Sequence, residues 1–211
     1  MKMYQVDAFT TELFKGNPAA VIVSEDWLDV ALMQNIAAEN NLAETAFVKI
    51  IDDENYEIRW FTPKVEVDFC GHATLASSFV LFKDYTTAKT LQFHVKNLGI
   101  FTITQASDGK IQMNFPVRMP HKVEDYPELL NEVIDRPIQA VYMNQQAYIL
   151  VCASETDVIE AKPNFAMINA IAEAYEVSTA ITASNALDIT LTAASEQYDY
   201  VARYFAPHKG I

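Results

Sequence analysis

Cysteine and glycine are scarce in this sequence, whose 211 residues include two cysteines and five glycines. Two cysteines, Cys70 and Cys152, are too few for a disulfide framework, and their spacing is not that of a zinc site. The four histidines are equally scattered along the chain. We therefore predict free thiols, a cytoplasmic setting and no bound metal.

Positive charge is scarce as well. Fifteen Lys and Arg residues face 28 Asp and Glu residues, which gives a formal net charge of −13. Nucleic acids are bound by basic surfaces, so we expect no nucleic-acid partner. No apolar run is long enough to span a bilayer, and the N-terminus lacks the apolar core of a signal peptide. With 51% hydrophobic and 20% charged residues, the composition is that of a globular protein.

Loops that bind common cofactors are missing too. The chain contains no G-x-G-x-x-G, no Walker loop and no G-x-S-x-G turn. We therefore expect chemistry that needs no cofactor.

The most informative stretch runs from Glu66 to Thr74 and continues into Leu75–Phe82. It predicts a strand end, a turn at Gly71 and a helix over 72–83 that is apolar or small on every side, as in a helix buried within a domain. The N-terminus of such a helix offers free backbone N–H groups to a carboxylate or phosphate. Cys70 and His72 lie at this N-terminus.

A second stretch indicates an internal duplication. Residues 56–63 (YEIRWFTP) align without gaps on residues 200–207 (YVARYFAP), and each follows a strand, a helix and a strand. We predict two pseudo-equivalent lobes, 1–118 and 119–211, joined by a proline-containing linker at 116–125. The arginine of each copy, Arg59 and Arg203, is more consistent with a structural ion pair or hydrogen bond than with catalysis.

An earlier helix is predicted between two apolar strands. Ser24 or Asp26 would cap it, and Leu28, Leu32 and Ile36 would share its buried face. Asn40 and Asn41 would end it.

Glu44 follows this helix, among apolar neighbours. A carboxylate buried there would have a raised pKa, which suits a general acid or base, although the local residues alone favour an exposed strand-end glutamate. His72 could bind a substrate carboxylate or cap its helix. Cys70 could be an activated thiolate or a small buried residue, and Cys152 is predicted to be core. The Gly16–Asn17–Pro18 stretch alone indicates only a turn.

Several motifs in order resemble the PhzF-like family, named for the phenazine-biosynthesis isomerase, within the diaminopimelate epimerase-like fold. The matching stretches are 7–10 (DAFT), 16–21 (GNPAAV), 44–47 (ETAF), 59–63 (RWFTP), 66–67 (EV), 70–74 (CGHAT), 203–207 (RYFAP) and 210–211 (GI). The resemblance implies an α+β fold of two lobes, each a curved, mostly antiparallel sheet around a central helix, with a site in the cleft between them.

The same resemblance implies the roles of several residues. Glu44 matches the glutamate that moves a proton between carbons of a small carboxylated substrate. Gly71 and His72 match residues that line the site, and we place Ala73 beside them. Cys70 and Asn17 are further possible site residues. The family also implies a homodimer without a cofactor.

The sequence departs from the family pattern after Gly210–Ile211. Family members continue there with an Asp-Pro-Val-Thr-Gly-Ser-like motif and a second central helix. We therefore expect an incomplete second lobe that exposes an apolar sheet face, and half of a site. Two alternatives remain open: a thiol-based racemase that uses Cys70, and an inactive two-lobe binding protein or remnant.

Overall fold

The computed structural model describes residues 1–12, 14–179 and 187–211. The chain forms two compact units, Met1–Pro116 and Val117–Ile211. The sequence placed this boundary two residues later, between 118 and 119. In both units the described residues form one sheet with few helices, so the α+β prediction is confirmed.

The first unit contains a sheet of order β1-β2-β3-β4-β6-β7-β8, with β5 paired to β4. The pairs β2/β3 and β4/β6 are parallel and the other pairs are antiparallel. Helix α1 connects β2 to β3, and helix α2 connects β5 to β6. The bounds are β1 Met3–Ala8, β2 Asn17–Ser24, α1 Val30–Asn40, β3 Glu44–Ile50, β4 Asn55–Phe61, β5 Glu66–Val67, α2 Gly71–Asp84, β6 Thr90–Val95, β7 Gly99–Gln105 and β8 Ile111–Met113.

Helix α2 is the centre of this unit and is one residue longer at each end than predicted. It contacts β1, β2, β3 and β8, so strands from both ends of the sheet order reach it and the sheet curls around it. Its buried hydroxyls stay hydrogen-bonded within the helix: Thr74, Ser77 and Ser78 each donate to the carbonyl four residues earlier, at 2.6–2.8 Å. One side differs from the prediction, because Phe79 is 47% exposed.

Helix α1 covers the opposite face of the sheet; its N-cap and one of its three predicted core-facing residues differ from the prediction. Its N-cap is Asp29, whose carboxylate accepts from Ala31 N at 2.9 Å, whereas Ser24 instead donates to the Asp26 carbonyl. Its fully buried residues are Met33 and Ala37, and Leu28 and Ile36 pack against the same core as predicted, whereas Leu32 is 47% exposed. The predicted end of the helix is correct, since Asn41 is its C-cap and adopts a left-handed backbone conformation with φ of 50°.

The second unit has a sheet of order β13-β12-β11-β10-β9, in which β11/β12 is parallel. Strand β9 lies within the predicted linker, so that segment is partly ordered by pairing with β10. The bounds are β9 His121–Lys122, β10 Ile138–Met143, β11 Ala147–Cys152, α3 Glu155–Glu160, α4 Phe165–Thr179, β12 Asp188–Ala193 and β13 Val201–Phe205, with 3-10 turns at Glu128–Glu132 and Pro207–Lys209.

The two faces of this second sheet differ. On one face, residues such as Leu150, Cys152 and Leu191 form a core with Val158 of α3 and Ile168 of α4. The prediction that Cys152 is core is therefore correct. The other face contributes alternate residues of the same strands to a groove of about 670 Å³, lined by residues that include Ile149, Thr190, Ala202 and Tyr204.

The two predicted structural arginines have the expected kind of role. Arg59 makes a bidentate pair with Glu66, through Nε at 2.7 Å and Nη2 at 2.6 Å. Arg203 instead donates from Nη1 to the carbonyls of Val158, Ile159 and Ala161 at the end of α3. Both guanidinium groups therefore hold local structure, one through a carboxylate and the other through a helix terminus.

Candidate functional site

Glu44 is the first residue of β3, and its side chain is buried. The parallel pairing of β2 with β3 sets Glu44 opposite Ala19, next along the chain to Pro18. Only 5% of Glu44 is exposed, so the exposed strand-end position that local sequence favoured is wrong. A buried carboxylate at a strand end needs polar neighbours, and α2 supplies them.

His72 and Cys70 meet Glu44 at the N-terminus of α2. His72 Nε2 lies 3.2 Å from Glu44 Oε2, and the two side chains are 11% and 7% exposed. On the other side of the ring, Cys70 Sγ lies 3.3 Å from His72 Nδ1. Three side chains from two distant stretches of sequence thus form one contact cluster, which we call the Glu44–His72–Cys70 trio.

Burial controls the protonation of the histidine and the thiol. Desolvation lowers the pKa of His72 from its ordinary 6.5, and the Pro18 carbonyl partly offsets this effect. Desolvation also raises the pKa of Cys70 well above 9.0, and the nearby charge of Glu44 acts in the same direction. Around neutral pH the imidazole is therefore uncharged and the sulfur keeps its proton.

The remaining predicted residues lie around the trio. Gly71 is the first residue of α2 and is half-buried, while Ala73 is fully buried. The backbone N–H groups of His72 and Ala73 act on Cys70 and favour its anionic form. Asn17 is exposed at the start of β2, where it pairs with Ala8. Gly16 precedes it because a Cβ there would overlap the Ala8 carbonyl oxygen.

Among the described residues, the trio is also a group of donor atoms that could hold a metal ion. One donor atom from each of Glu44, Cys70 and His72 lies within 4.8 Å of the others. A mixed O, N and S set suits zinc or a similar ion. Binding would require the thiol to lose its proton, which its raised pKa opposes.

Sequence reasoning missed a second buried polar cluster, in the second unit. Asp188 is 1% exposed and accepts from Lys209 Nζ at 2.7 Å on both carboxylate oxygens. His208 Nε2 lies 3.1 Å from Asp188 Oδ1, and the Tyr204 hydroxyl donates to Oδ2. An aspartate within the apolar strand pattern of residues 187–191 (LDITL) was the available sequence signal. The cluster ties that turn to the sheet.

Comparison with known proteins decides the family. Residues 6–211 match the family model described as phenazine biosynthesis-like protein. An uncharacterized isomerase of Halalkalibacterium halodurans is 38% identical over 214 residues, which cover 99% of this chain and 74% of that relative. The chain belongs to the phenazine biosynthesis-like family. Its relatives include proteins named isomerases, so the family is one of isomerase-type enzymes.

Solved structures of this phenazine biosynthesis-like family have the same fold. A PhzF-family protein of Enterococcus faecalis is 36% identical and superposes with a TM-score of 0.79, over 97% of this chain and 73% of that one. A Pseudomonas aeruginosa protein described as a predicted epimerase shares the fold at 19% identity, with a TM-score of 0.66 over 90% of this chain and 68% of that one. In the described part of the chain, no helix is long and apolar enough to cross a membrane.

Proposed function

We propose that this protein is an isomerase or epimerase that moves a proton between carbons of a small carboxylated substrate, with Glu44 as the acid/base. The observation that carries the proposal is the buried contact between Glu44 Oε2 and His72 Nε2, 3.2 Å apart at the start of α2. A carboxylate held away from solvent and beside a buried imidazole has the features of a general base.

The substrate would be held by the α2 terminus. The positive end of the helix dipole lies at this terminus and attracts an anion, and Gly71 and Ala73 add no charged or bulky group there. A substrate carboxylate bound at this point would bring the adjacent carbon toward Glu44. His72, which is neutral because burial lowers its pKa, would donate a hydrogen bond to the substrate rather than add a positive charge.

The proposed step is balanced without a redox partner. Glu44 removes a proton from one carbon, the electron pair shifts along the substrate, and the proton returns to a different carbon or to the opposite face. The raised pKa of Cys70 argues against the thiol-based racemase, because that reaction needs a thiolate. We also propose a homodimer, which the family resemblance implies.

The test is proton–deuterium exchange into candidate substrates. The protein is incubated in D₂O with a panel of amino acids and unsaturated carboxylic acids, and incorporation is followed by NMR. For any compound that exchanges, Glu44→Gln should lower the rate by about 100-fold or more, the contribution typical of a general acid/base.

Glu54→Gln is the matched control. It makes the same chemical change at an exposed residue in the turn between β3 and β4. Exchange should persist in this variant at the wild-type rate. If Glu44→Gln exchanged as fast as Glu54→Gln, the role of Glu44 would be refuted.

A further inference from the structure

Within the Glu44–His72–Cys70 trio, the proposed reaction leaves Cys70 without a role. Cys70 is the N-cap residue of α2, yet its side chain makes no capping hydrogen bond to the helix. Its sulfur lies instead against the imidazole of His72, 3.3 Å from Nδ1. The residue is 7% exposed, so water competes weakly for this contact.

The opposite side of the His72 ring determines which nitrogen carries the proton. Nε2 lies 3.2 Å from Glu44 Oε2 without the alignment of a hydrogen bond, and the Pro18 carbonyl also interacts with the ring. Carboxylate and carbonyl oxygens accept hydrogen bonds and donate none. In the neutral ring the proton is therefore on Nε2, because a bare lone pair there would lie within 3.2 Å of a negatively charged oxygen.

This assignment leaves the lone pair of Nδ1 directed at Cys70 Sγ. A thiol is a hydrogen-bond donor, and this one keeps its proton because burial and Glu44 both oppose its ionisation. Glu44 is a second acceptor within reach of the thiol. Donation to Nδ1 is the better arrangement, since donation to Glu44 would leave the lone pairs of sulfur and Nδ1 facing each other.

We propose that Cys70 is a positioning residue, whose S–H donates to His72 Nδ1 and so holds the imidazole in the tautomer that carries its proton on Nε2, the nitrogen beside Glu44. The role of this contact in catalysis rests on the function proposed above, whereas the assignment of the His72 tautomer is independent of that function. A positioning thiol can be replaced by another hydrogen-bond donor. A thiol that reacts as a base cannot be replaced in this way.

The experiment compares Cys70→Ser with Cys70→Ala. Long-range ¹H–¹⁵N NMR spectra of protein labelled at histidine distinguish a protonated ring nitrogen from an unprotonated one, and His72→Gln identifies the His72 signals among the four histidines. The wild type and Cys70→Ser should both show protonated Nε2 and unprotonated Nδ1. Cys70→Ala should shift the tautomer ratio by about 2- to 10-fold, as expected for the loss of one hydrogen bond.

Activity gives the second readout, on any compound that exchanges in D₂O. Cys70→Ala should lower kcat by a similar 2- to 10-fold with little change in KM, and Cys70→Ser should restore it. Cys152→Ala is the control, because Cys152 is buried in the core of the second unit and should leave the His72 signals unchanged.

Two results would overturn the proposal. One is an unchanged His72 tautomer in folded Cys70→Ala. The other is a Cys70→Ser protein as impaired as Cys70→Ala, which would make the sulfur itself a reacting group. Failure of the proposed function is distinguishable, because it would abolish the effect of Glu44→Gln on exchange while leaving the tautomer spectra of the Cys70 variants as predicted.

Discussion

Helix α2 is predicted to stabilise the first unit through one face, and a pair of truncations two residues apart tests this. Leu81 is fully buried against the curled sheet, whereas Phe79 is 47% exposed on the same helix. Leu81→Ala and Phe79→Ala both remove apolar atoms from the helix and both leave alanine, a strong helix former. They differ in how much core contact is lost.

The magnitude follows from the burial. Leu81→Ala removes three carbon atoms that are fully shielded from water, and each contributes about 0.8 kcal/mol, or about 2.4 kcal/mol in total. The cavity that remains adds a further cost, which brings the expected loss to about 3–4 kcal/mol. Phe79→Ala removes a larger side chain, but one half in solvent, and we expect a loss of about 1 kcal/mol.

The assay is urea denaturation followed by tryptophan fluorescence. Both tryptophans, Trp27 and Trp60, lie in the first unit, so the signal reports on that unit alone. Leu81→Ala should lower the midpoint strongly and Phe79→Ala slightly, with unchanged m-values. Equal losses in the two variants, or a larger loss for Phe79→Ala, would refute the placement of α2 in the core.

Two further predictions concern single polar side chains. Because folding lowers the pKa of His72 below 6.5, the unfolded chain binds more protons there, and this contribution to stability is lost as pH falls below about 6.5. The melting temperature of His72→Gln should therefore fall less over that pH range than that of the wild type. Identical slopes of melting temperature against pH would contradict the lowered pKa. Arg203→Lys should destabilise α3 by about 1.5–3 kcal/mol, because one guanidinium donates to three carbonyls, and amide exchange at Val158–Ala161 should become faster. The control Arg136→Lys, at a partly exposed ion pair with Glu160, should cost less than about 1 kcal/mol.

Much of the fold could be predicted because its signals are local. The apolar and small residues after Cys70 indicated a buried helix, and the repeat at 56–63 and 200–207 indicated corresponding strands and structural arginines. The N-cap of α1 was predicted wrongly because Ser24, Asp26 and Asp29 all lie close to the helix start and any of them can cap. Only the backbone path decides that Asp29 accepts from Ala31 N.

The candidate site was less accessible to sequence reasoning because it depends on strand pairing. Glu44 is 26 residues from Cys70 along the chain, and its own neighbours indicated an exposed strand end. It is the parallel register of β2 and β3, with Ala19 opposite Glu44, that sets the carboxylate beside the start of α2. The contacts of Cys70 could not be predicted either, since a helix N-terminus alone suggests a lowered thiol pKa. Burial and, after it, the adjacent Glu44 carboxylate raise this pKa instead.

The repeated segment separates what a strand motif determines from what its neighbours determine. Trp60 and Tyr204 occupy the same position, each one residue after the arginine and one before the phenylalanine. On the strand face that carries the arginine, the two copies are alike, because the Arg59 guanidinium lies 5.4 Å from the Phe61 ring centre and that of Arg203 lies 5.0 Å from the Phe205 ring centre. On the opposite strand face the two copies differ, since Trp60 is 1% exposed in the core formed with α2, whereas Tyr204 is 43% exposed and lines the groove. The motif therefore sets which way each side chain points, and the packing of α2 sets whether the aromatic residue is buried.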